Sequence, residues 1–287
     1  MKKDLIKSIQ TQLQKLTNKR FSKKYVENFI YPILIHINLS KNHKFLICGA
    51  QGVGKSTLLQ ILEKHLLVFF KKKTLNLSLD NYYLTKKQRV CLSKTKHPLL
   101  LTRGVPGTHD SQLLLKNIIE FEKSRYPIKI PIFNKLKDDR SKYLKLLNSD
   151  YDILILEGWC CGCPPVDSKF LFKNINSLES NKDKKRIWRK FYNQKLKKEY
   201  SKIFNRFDEI IFLKTPLFSN IITWRLKQEK MMKKQSNFKK SMSKVQIEEF
   251  VQYYEKLTKW MIKVLPPISN LTIHIGKDQK IKKILKN

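Results

Sequence analysis

The chain has 287 residues, of which 41% are hydrophobic and 11% aromatic, and its formal net charge is +37. The apolar content excludes a disordered protein, and the length fits a single domain spanning residues 1–287. The charge comes mostly from lysines spread along the whole chain, which is typical of a solvated surface. We therefore expect weak affinity for polyanions at most, and no specific nucleic-acid binding.

No uninterrupted apolar stretch approaches the length of a membrane-spanning helix, so we expect no membrane segment. The five cysteines are odd in number and have no paired spacing, which is typical of reduced thiols in a cytoplasmic protein. Cys160, Cys161 and Cys163 lie close together, but a zinc site would need a second pair of ligands that the sequence does not supply. We expect these small residues to pack a tight loop. The oligomeric state stays open.

Residues 1–40 show helical spacing of apolar side chains and predict two helices ahead of an α/β core at residues 44–275. In the core, short apolar runs alternate with longer helical stretches, which predicts a mostly parallel central sheet flanked by helices. The predicted strands are 45–48, 74–79, 153–156, 210–213 and 271–275. The predicted helices are 57–70, 111–123, 216–233 and 243–263.

Residues 181–206 combine many lysines with apolar side chains at helical spacing and predict one amphipathic helix packed on the core. Its charged face is the first place to look for a polyanion contact, although a solvated face is the favoured interpretation. The residues assigned to that face are Lys184, Lys185, Arg189, Lys195 and Lys198.

A cluster of glycines follows the first predicted strand and precedes a helix, which is the context of a phosphate-binding loop. The segment matches G-x-x-x-x-G-K-[ST] in full and, with the next residue, comprises Gly49, Ala50, Gln51, Gly52, Val53, Gly54, Lys55, Ser56 and Thr57. Backbone N–H groups of such a loop bind nucleotide phosphates, and Lys55 would reach the β and γ phosphates. Ser56 would supply an oxygen to Mg²⁺. The sequence therefore predicts ATP and Mg²⁺ as ligands, and a P-loop fold.

Two carboxylates stand at the ends of predicted strands, where ligands bind in an open α/β sheet. Glu157 ends the run 153–156 and would help hold hydrated Mg²⁺ as a second metal ligand. Asp80 follows the run 74–79 and would accept the proton from an attacking hydroxyl. Each could instead be only a turn or cap former.

Four further segments resemble the D-glycerate 3-kinase family, relatives of phosphoribulokinase and uridine kinase. They are S-L-D-N-Y-Y-L-T at 78–85, R-G-V-P-G-T-H-D at 103–110, E-G-W at 157–159 and W-R-L-K-Q-E at 224–229. The similarity runs from about residue 44 to 265, and the 103–110 string is its most specific part. It implies a P-loop kinase with ATP and Mg²⁺, and D-glycerate as the acceptor that becomes 3-phosphoglycerate.

The resemblance also assigns roles to residues of this chain. Asp80 matches the presumed base, and Arg225 would stabilise charge on the transferred phosphoryl group together with Lys55. The acceptor would be bound by Arg103, His109, Asp110 and Arg140, because a small hydroxy-acid needs a cation for its carboxylate and polar groups for its hydroxyls.

Some positions differ from the family pattern. Asn81 stands where a second aspartate is usual, and Asn134 stands where a Tyr-Asp-Lys triplet is usual. Lys137 and Asp138 replace a glycine and an arginine. These differences concern the acceptor side, so two alternatives stay open: a kinase of the same fold for another hydroxyl compound, such as a nucleoside or a pantothenate-like acceptor, and a non-enzymatic P-loop protein associated with nucleic acid.

Overall fold

The computed structural model describes residues 1–235 and 242–287, and its centre is a six-stranded sheet with the strand order β2-β5-β1-β6-β7-β8. Along this order, each neighbouring pair in β2-β5-β1-β6-β7 is parallel, and β8 pairs with β7 antiparallel. The strands of this sheet are β1 (Lys44–Gly49), β2 (Thr74–Ser78), β5 (Ile153–Gly158), β6 (Glu209–Lys214), β7 (Leu271–Ile275) and β8 (Ile281–Lys286). A separate antiparallel hairpin consists of β3 (Ile128–Asn134) and β4 (Asp139–Leu147).

Helices cover both faces of this sheet. They are α1 (Lys2–Thr17), α2 (Lys23–Tyr25), α3 (Tyr31–Leu39), α4 (Lys55–Phe70), α5 (Lys86–Thr95), α6 (Ser111–Glu122), α7 (Ser168–Phe172), α8 (Ser177–Lys182), α9 (Ile187–Lys195), α10 (Ser201–Phe204), α11 (Ser219–Gln235) and α12 (Lys244–Val264). Two π-helical turns, Val26–Ile30 and Leu196–Tyr200, join α2 to α3 and α9 to α10.

The central strands are buried on both faces, which explains their continuous apolar runs. On β1, Phe45 and Ile47 pack in one core cluster with α1, α3 and α4, whereas Leu46 and Cys48 pack in another with α6, α9 and α12. The parallel order places the ends of β1, β2 and β5 side by side at one edge of the sheet. That edge carries the phosphate-binding loop.

The first forty residues are packed directly on the core. Leu5, Ile6 and Ile9 of α1 are fully buried, and the side chain of Gln12 donates to the carbonyl of Gln60 in α4 at 3.0 Å. The predicted first helix is found as α1, and the second is the continuous helical segment from α2 to α3.

The prediction for residues 181–206 is wrong in two respects. The segment contains a break at 183–186, so the long helix begins only at Ile187. Arg189 is not on a charged surface, because its side chain is fully buried and pairs with Asp183 at 2.8 Å and Glu179 at 3.4 Å. A buried guanidinium that is already paired with carboxylates of the same chain cannot bind a polyanion.

The cysteine cluster lies in the turn after β5, where the N–H of Cys163 donates to the carbonyl of Cys160. Cys160, Cys161 and Cys163 are buried, and burial raises the pKa of each thiol well above its usual value. These thiols are therefore protonated packing groups at neutral pH. In the described ranges, the structure contains no helix long and apolar enough to cross a membrane.

Candidate active site

The phosphate-binding loop connects β1 to α4, as the sequence predicts. Gly54 precedes the helix with φ of 108°, a left-handed conformation that side chains rarely adopt, and a Cβ there would meet nothing within 4 Å. Lys55 folds back over the loop, and its Nζ donates to the carbonyl oxygens of Gly49 at 2.7 Å and Ala50 at 3.1 Å. The loop thus holds its lysine beside the place where a terminal phosphate would bind.

A cavity of about 330 Å³ opens beside this loop, and we call it the acceptor cavity. It brings together Lys55 and Ser56 of the loop with Asp80, Arg103, Glu157 and Arg225, which the sequence had singled out. Lys135, which it had not, is also part of the lining. The cavity therefore contains both carboxylates and several cations, a combination that suits a reaction between an anionic nucleotide and a polar acceptor.

Asp80 lies in a turn of 3₁₀ helix directly after β2. Its Oδ2 accepts from Nζ of Lys135 at 2.7 Å, and its Oδ1 accepts from the hydroxyl of Tyr83 at 2.9 Å. Burial alone would raise the pKa of Asp80, but the charge and hydrogen bond of Lys135, with help from Tyr83 and Lys55, outweigh it and lower the pKa below the usual value. Asp80 is therefore ionised at neutral pH and able to accept a proton.

Tyr83 is the fixed partner of this carboxylate. Burial, followed by the charge of Asp80, raises the pKa of Tyr83 well above its usual value, so its hydroxyl stays a donor. Its ring is stacked on His109 with the centroids 4.5 Å apart. The stack fixes the hydroxyl that orients Asp80.

Glu157 lies at the end of β5 in register with Ser78 at the end of β2. The hydroxyl of Ser78 donates to Oε1 of Glu157 at 2.5 Å, which fixes the carboxylate at the rim of the acceptor cavity. Ser56 at the start of α4 lines the same cavity. The three side chains offer hard oxygen atoms, the ligand type that Mg²⁺ prefers.

Arg103 reaches the acceptor cavity from a loop clamped by aromatic side chains. The indole of Trp159 donates to the carbonyl of Gly104 at 2.9 Å, and the hydroxyl of Tyr254 donates to the carbonyl of Arg103 at 2.9 Å. The guanidinium pairs with Asp138 and lies 5.3 Å from the ring centre of Phe133. The positive charge of Arg103 is thus already compensated in part by a carboxylate of this chain, Asp138.

Arg225 lies on α11, and its guanidinium faces the acceptor cavity. Its Nη2 donates to Glu229 at 2.6 Å, and its Nη1 donates to Gln228 at 3.3 Å. Phe250 of α12 lies 5.9 Å from the guanidinium. The helix, which packs against the phosphate-binding loop at Gly52, therefore presents a positioned cation to the acceptor cavity.

Three predicted acceptor residues do not line the cavity. His109 is buried behind Tyr83, its Nδ1 is 2.6 Å from the hydroxyl of Tyr200, and burial lowers its pKa to about 3. It is therefore neutral at physiological pH and cannot supply a cation for a carboxylate.

Asp110 and Arg140 pair with each other, with 3.2 Å between Oδ2 and Nη1. Asp110 also accepts from the N–H of Leu113 at the start of α6, and Arg140 donates to the carbonyl of Tyr83 at 2.9 Å. In this structure the pair braces the turn that carries Asp80 and Tyr83. Both residues contact the backbone around the site and do not line the acceptor cavity.

The sequence reasoning missed Lys135 because it missed the hairpin that carries it. Lys135 follows Asn134, at the tip of the β3–β4 hairpin, and the Asn134 side chain accepts from the N–H groups of Leu136 and Lys137 at 3.0 Å. Asn134 is thus a turn-capping residue. The Asn at position 81 accepts from the N–H of Phe133 and also ties the hairpin to the site.

Comparisons of the sequence with known proteins also indicate a kinase. Over 219 residues the chain is 33% identical to "Uncharacterized kinase mug58" of Schizosaccharomyces pombe, a match that covers 72% of this chain and 76% of that protein. Over 228 residues it is 30% identical to "Probable ATP-dependent kinase TDA10" of Saccharomyces cerevisiae, covering 72% and 73% respectively.

Among solved structures, a D-glycerate 3-kinase from Cryptococcus neoformans superimposes with a TM-score of 0.71 at 24% identity, covering 90% of this chain and 97% of that one. The superposition confirms the predicted fold class, a mostly parallel sheet flanked by helices. No protein-family model matches the chain.

Proposed function

Because this chain belongs to the D-glycerate 3-kinase-like family of P-loop kinases, with the two yeast kinases as relatives, we propose that it phosphorylates D-glycerate to 3-phosphoglycerate. It is an ATP-dependent kinase, and the proposal concerns the acceptor and the residues that act on it. The observation that carries the proposal is the joint presence of Lys55, Asp80 and Lys135 around one cavity.

Phosphoryl transfer is mostly a matter of positioning and charge stabilisation. The phosphate-binding loop holds the nucleotide, with Lys55 at its β and γ phosphates. Asp80 accepts the proton of the acceptor hydroxyl as the hydroxyl oxygen forms its bond to the γ phosphorus and the bond to the ADP oxygen breaks. Arg225, which lines the same cavity, stabilises the charge on the transferred group.

The residues near the loop also fit Mg²⁺. Ser56 and Glu157 would hold the ion, which would supply charge neutralisation between the β and γ phosphates. Glu157 is fixed in place by its 2.5 Å bond from Ser78. Among the described residues no cluster of three or more histidine, cysteine or acidic side chains forms a metal cage, which agrees with an ion held mainly by phosphates and water.

The acceptor's carboxylate needs a cation, and the geometry favours Lys135. Lys55 would contact the phosphates of the nucleotide. The two arginines already have carboxylate partners, because Arg225 forms an ion pair with Glu229 and Arg103 forms one with Asp138. Among the residues that the structure describes, Lys135 pairs only with Asp80, and 62% of its side chain is exposed, so it can turn toward an incoming carboxylate. A hydroxy-acid would then replace Asp80 as the partner of this lysine. A neutral nucleoside offers no such replacement.

The experiment is a panel of acceptors with the purified protein, ATP and Mg²⁺. D-Glycerate should give ADP release and 3-phosphoglycerate, identified by phosphorus NMR, whereas L-glycerate, uridine and pantothenate should give little. Turnover with uridine or pantothenate alone would keep the kinase and replace the acceptor. Turnover with none of them would contradict the proposed substrate.

A further inference from the structure

The hairpin of β3 and β4, residues 128–147, has one strand that the rest of the described chain leaves uncovered. Residues 142–146 of β4 are all exposed, and we call them the open strand. Large apolar side chains that are exposed singly are ordinary, whereas a cluster of them marks an interaction site. This hairpin exposes five: Ile132, Leu136, Tyr143, Leu144 and Leu146, of which Tyr143 is the most accessible at 80%.

The open strand also has a free backbone edge. Along one strand of an antiparallel pair, alternate residues direct their N–H and C=O groups away from the partner strand. Within residues 1–235 and 242–287, β3 is the only strand that pairs with β4. A free edge of this kind is a template on which an extended segment of another chain can add a strand.

The exposed charge of the hairpin is positive. Its two carboxylates are already engaged, because Asp138 pairs with Arg89 and Arg103. Asp139 accepts from the N–H of Lys86 at 2.8 Å. Four exposed lysines of the hairpin have no carboxylate partner among the described residues: Lys129, Lys137, Lys142 and Lys145. A surface with this charge favours an acidic partner.

We propose that the open strand binds an extended acidic segment of another protein, which adds a third strand to the hairpin. Successive side chains of a strand point to opposite faces, so Lys142 and Lys145 lie on different faces. The bound segment should place an acidic side chain opposite each lysine and apolar side chains opposite the other three residues. The complement of K-Y-L-K-L is therefore the pattern acidic, apolar, apolar, acidic, apolar, in either chain direction.

Three other occupants match fewer of these features. A second copy of this chain would bring Lys142 and Lys145 of two open strands together, and like charges on neighbouring strands repel. An anionic bilayer would attract the lysines, but burial of the strand in it would leave the N–H and C=O groups of the edge without partners. A nucleic acid would contact the lysines but offers nothing to Leu144, to Leu146 or to the free edge.

The open strand is separate from the site of phosphoryl transfer. None of the residues 142–146 lines the acceptor cavity, which the hairpin reaches only through Lys135 at its tip. Binding at the open strand therefore requires neither the nucleotide nor the acceptor, and its test does not depend on the identity of the substrate.

The test uses three labelled peptides and fluorescence anisotropy on the full chain. The first contains V-E-V-V-E-V, which has the complementary pattern in both chain directions, and the second replaces both glutamates by lysine. The wild type should bind the glutamate peptide about tenfold more tightly, because two attractive cross-strand pairs become repulsive with the lysine peptide. Lys142→Glu/Lys145→Glu should reverse this preference. The third, the glutamate peptide with an N-methylated backbone, should not bind, because it cannot donate to the edge.

The matched control is Lys197→Glu/Lys198→Glu, which makes the same change of charge at two exposed lysines of the second π-helical turn. It should keep the preference of the wild type, and ATP binding by each variant shows that the fold is intact. If Lys142→Glu/Lys145→Glu does not fold, Lys142→Glu alone should weaken binding of the glutamate peptide, and the N-methylated peptide still tests the edge on the wild type.

Several results would overturn the proposed partner. One is no binding of the glutamate peptide by the wild type, and another is equal binding of its N-methylated form. A reversal of preference in the control variant would show that only the net charge of the protein matters. Phosphatidylserine vesicles and a single-stranded RNA are titrated in parallel. If either bound more tightly than the glutamate peptide and lost this affinity in Lys142→Glu/Lys145→Glu, the open strand would serve lipid or nucleic acid instead.

Discussion

Nζ of Lys135 lies 2.7 Å from Oδ2 of Asp80, so the proposed base and the proposed anchor of the acceptor form one ion pair. The pair has two consequences. It keeps Asp80 ionised although the side chain is partly buried, and it leaves a lysine that an acceptor carboxylate can take over. If a hydroxy-acid took Lys135 away from Asp80, the pKa of Asp80 would rise. Asp80 would then be a stronger base at the moment when it accepts the proton of the acceptor hydroxyl.

Replacing the lysine should change both binding and pH dependence. In Lys135→Met, KM for D-glycerate should rise about tenfold or more, because a charge-assisted hydrogen bond is lost. The pKa of Asp80 should rise as well, since burial then acts with only Tyr83 and Lys55 to oppose it. Asp80 must be ionised to act, so the acid limb of kcat/KM should move to higher pH. Lys137→Met, an exposed residue of the same hairpin turn, is the control and should show neither change. An unmoved acid limb in Lys135→Met would contradict the role of the pair.

Glu157→Gln should raise the Mg²⁺ concentration needed for half-maximal turnover by about tenfold, because one anionic oxygen ligand is replaced by a neutral one. The measurement is a Mg²⁺ titration of ADP release at saturating ATP. Glu63→Gln serves as the control, since Glu63 is exposed on α4 and bonded to Asn76 at 2.9 Å, away from the cavity. A Mg²⁺ requirement equal in both variants would rule Glu157 out as a ligand.

The buried His109 should make the protein less stable in mild acid. Its pKa is about 3 in the folded chain because of burial, against an ordinary value of 6.5, so the unfolded chain binds the proton first as pH falls. Stability is therefore lost progressively from about pH 6.5 downward, with about 2 kcal/mol gone at pH 5. Urea unfolding at pH 7 and pH 5 measures the difference. His109→Gln should be less stable at both values but lose less between them, whereas exposed His43→Gln should keep the wild-type difference.

Arg189 should be a stability residue without a part in ligand binding. Arg189→Met leaves the carboxylates of Asp183 and Glu179 buried with only part of their compensation, from Lys256 at 3.2 Å to Glu179. Breaking such a buried pair costs about 3–5 kcal/mol. Urea unfolding should show this loss, and exposed Lys184→Ala should leave stability within about 0.5 kcal/mol. If both variants instead lowered affinity for a polyanion such as heparin equally, without a stability change, the buried assignment of Arg189 would be wrong.

The parts of the site that could be predicted from sequence are those that depend on local order. A glycine-rich loop between a strand and a helix, and acids at strand ends, place Lys55, Ser56, Asp80 and Glu157 at one edge of a parallel sheet whatever the loops do. The structure brings all four to one cavity. The comparisons confirm the fold, and the catalytic roles stay predictions.

The parts that could not be predicted depend on tertiary burial. A histidine and an arginine in the same loop suggest two cations, but His109 faces Tyr83 and Tyr200 and is neutral, a property that no local pattern reveals. Lys135 is one lysine among many, and only the pairing of β3 with β4 brings it to Asp80. The pairing of Arg189 could have been predicted from sequence, because Arg189 lies three residues before Tyr192, which has the predicted apolar spacing, and follows two acids that can pair with it.

Steady-state ADP release with D-glycerate by wild type and Asp80→Asn, alongside ATP binding by both, measures whether Asp80 is the base of a glycerate kinase. We expect glycerate-dependent release by the wild type, a fall of about 10²–10⁴-fold in kcat for Asp80→Asn, and similar ATP affinity in the two proteins. Undiminished turnover in Asp80→Asn would show that another group accepts the proton. Absence of glycerate-dependent release by a wild type that binds ATP would show that D-glycerate is not the acceptor.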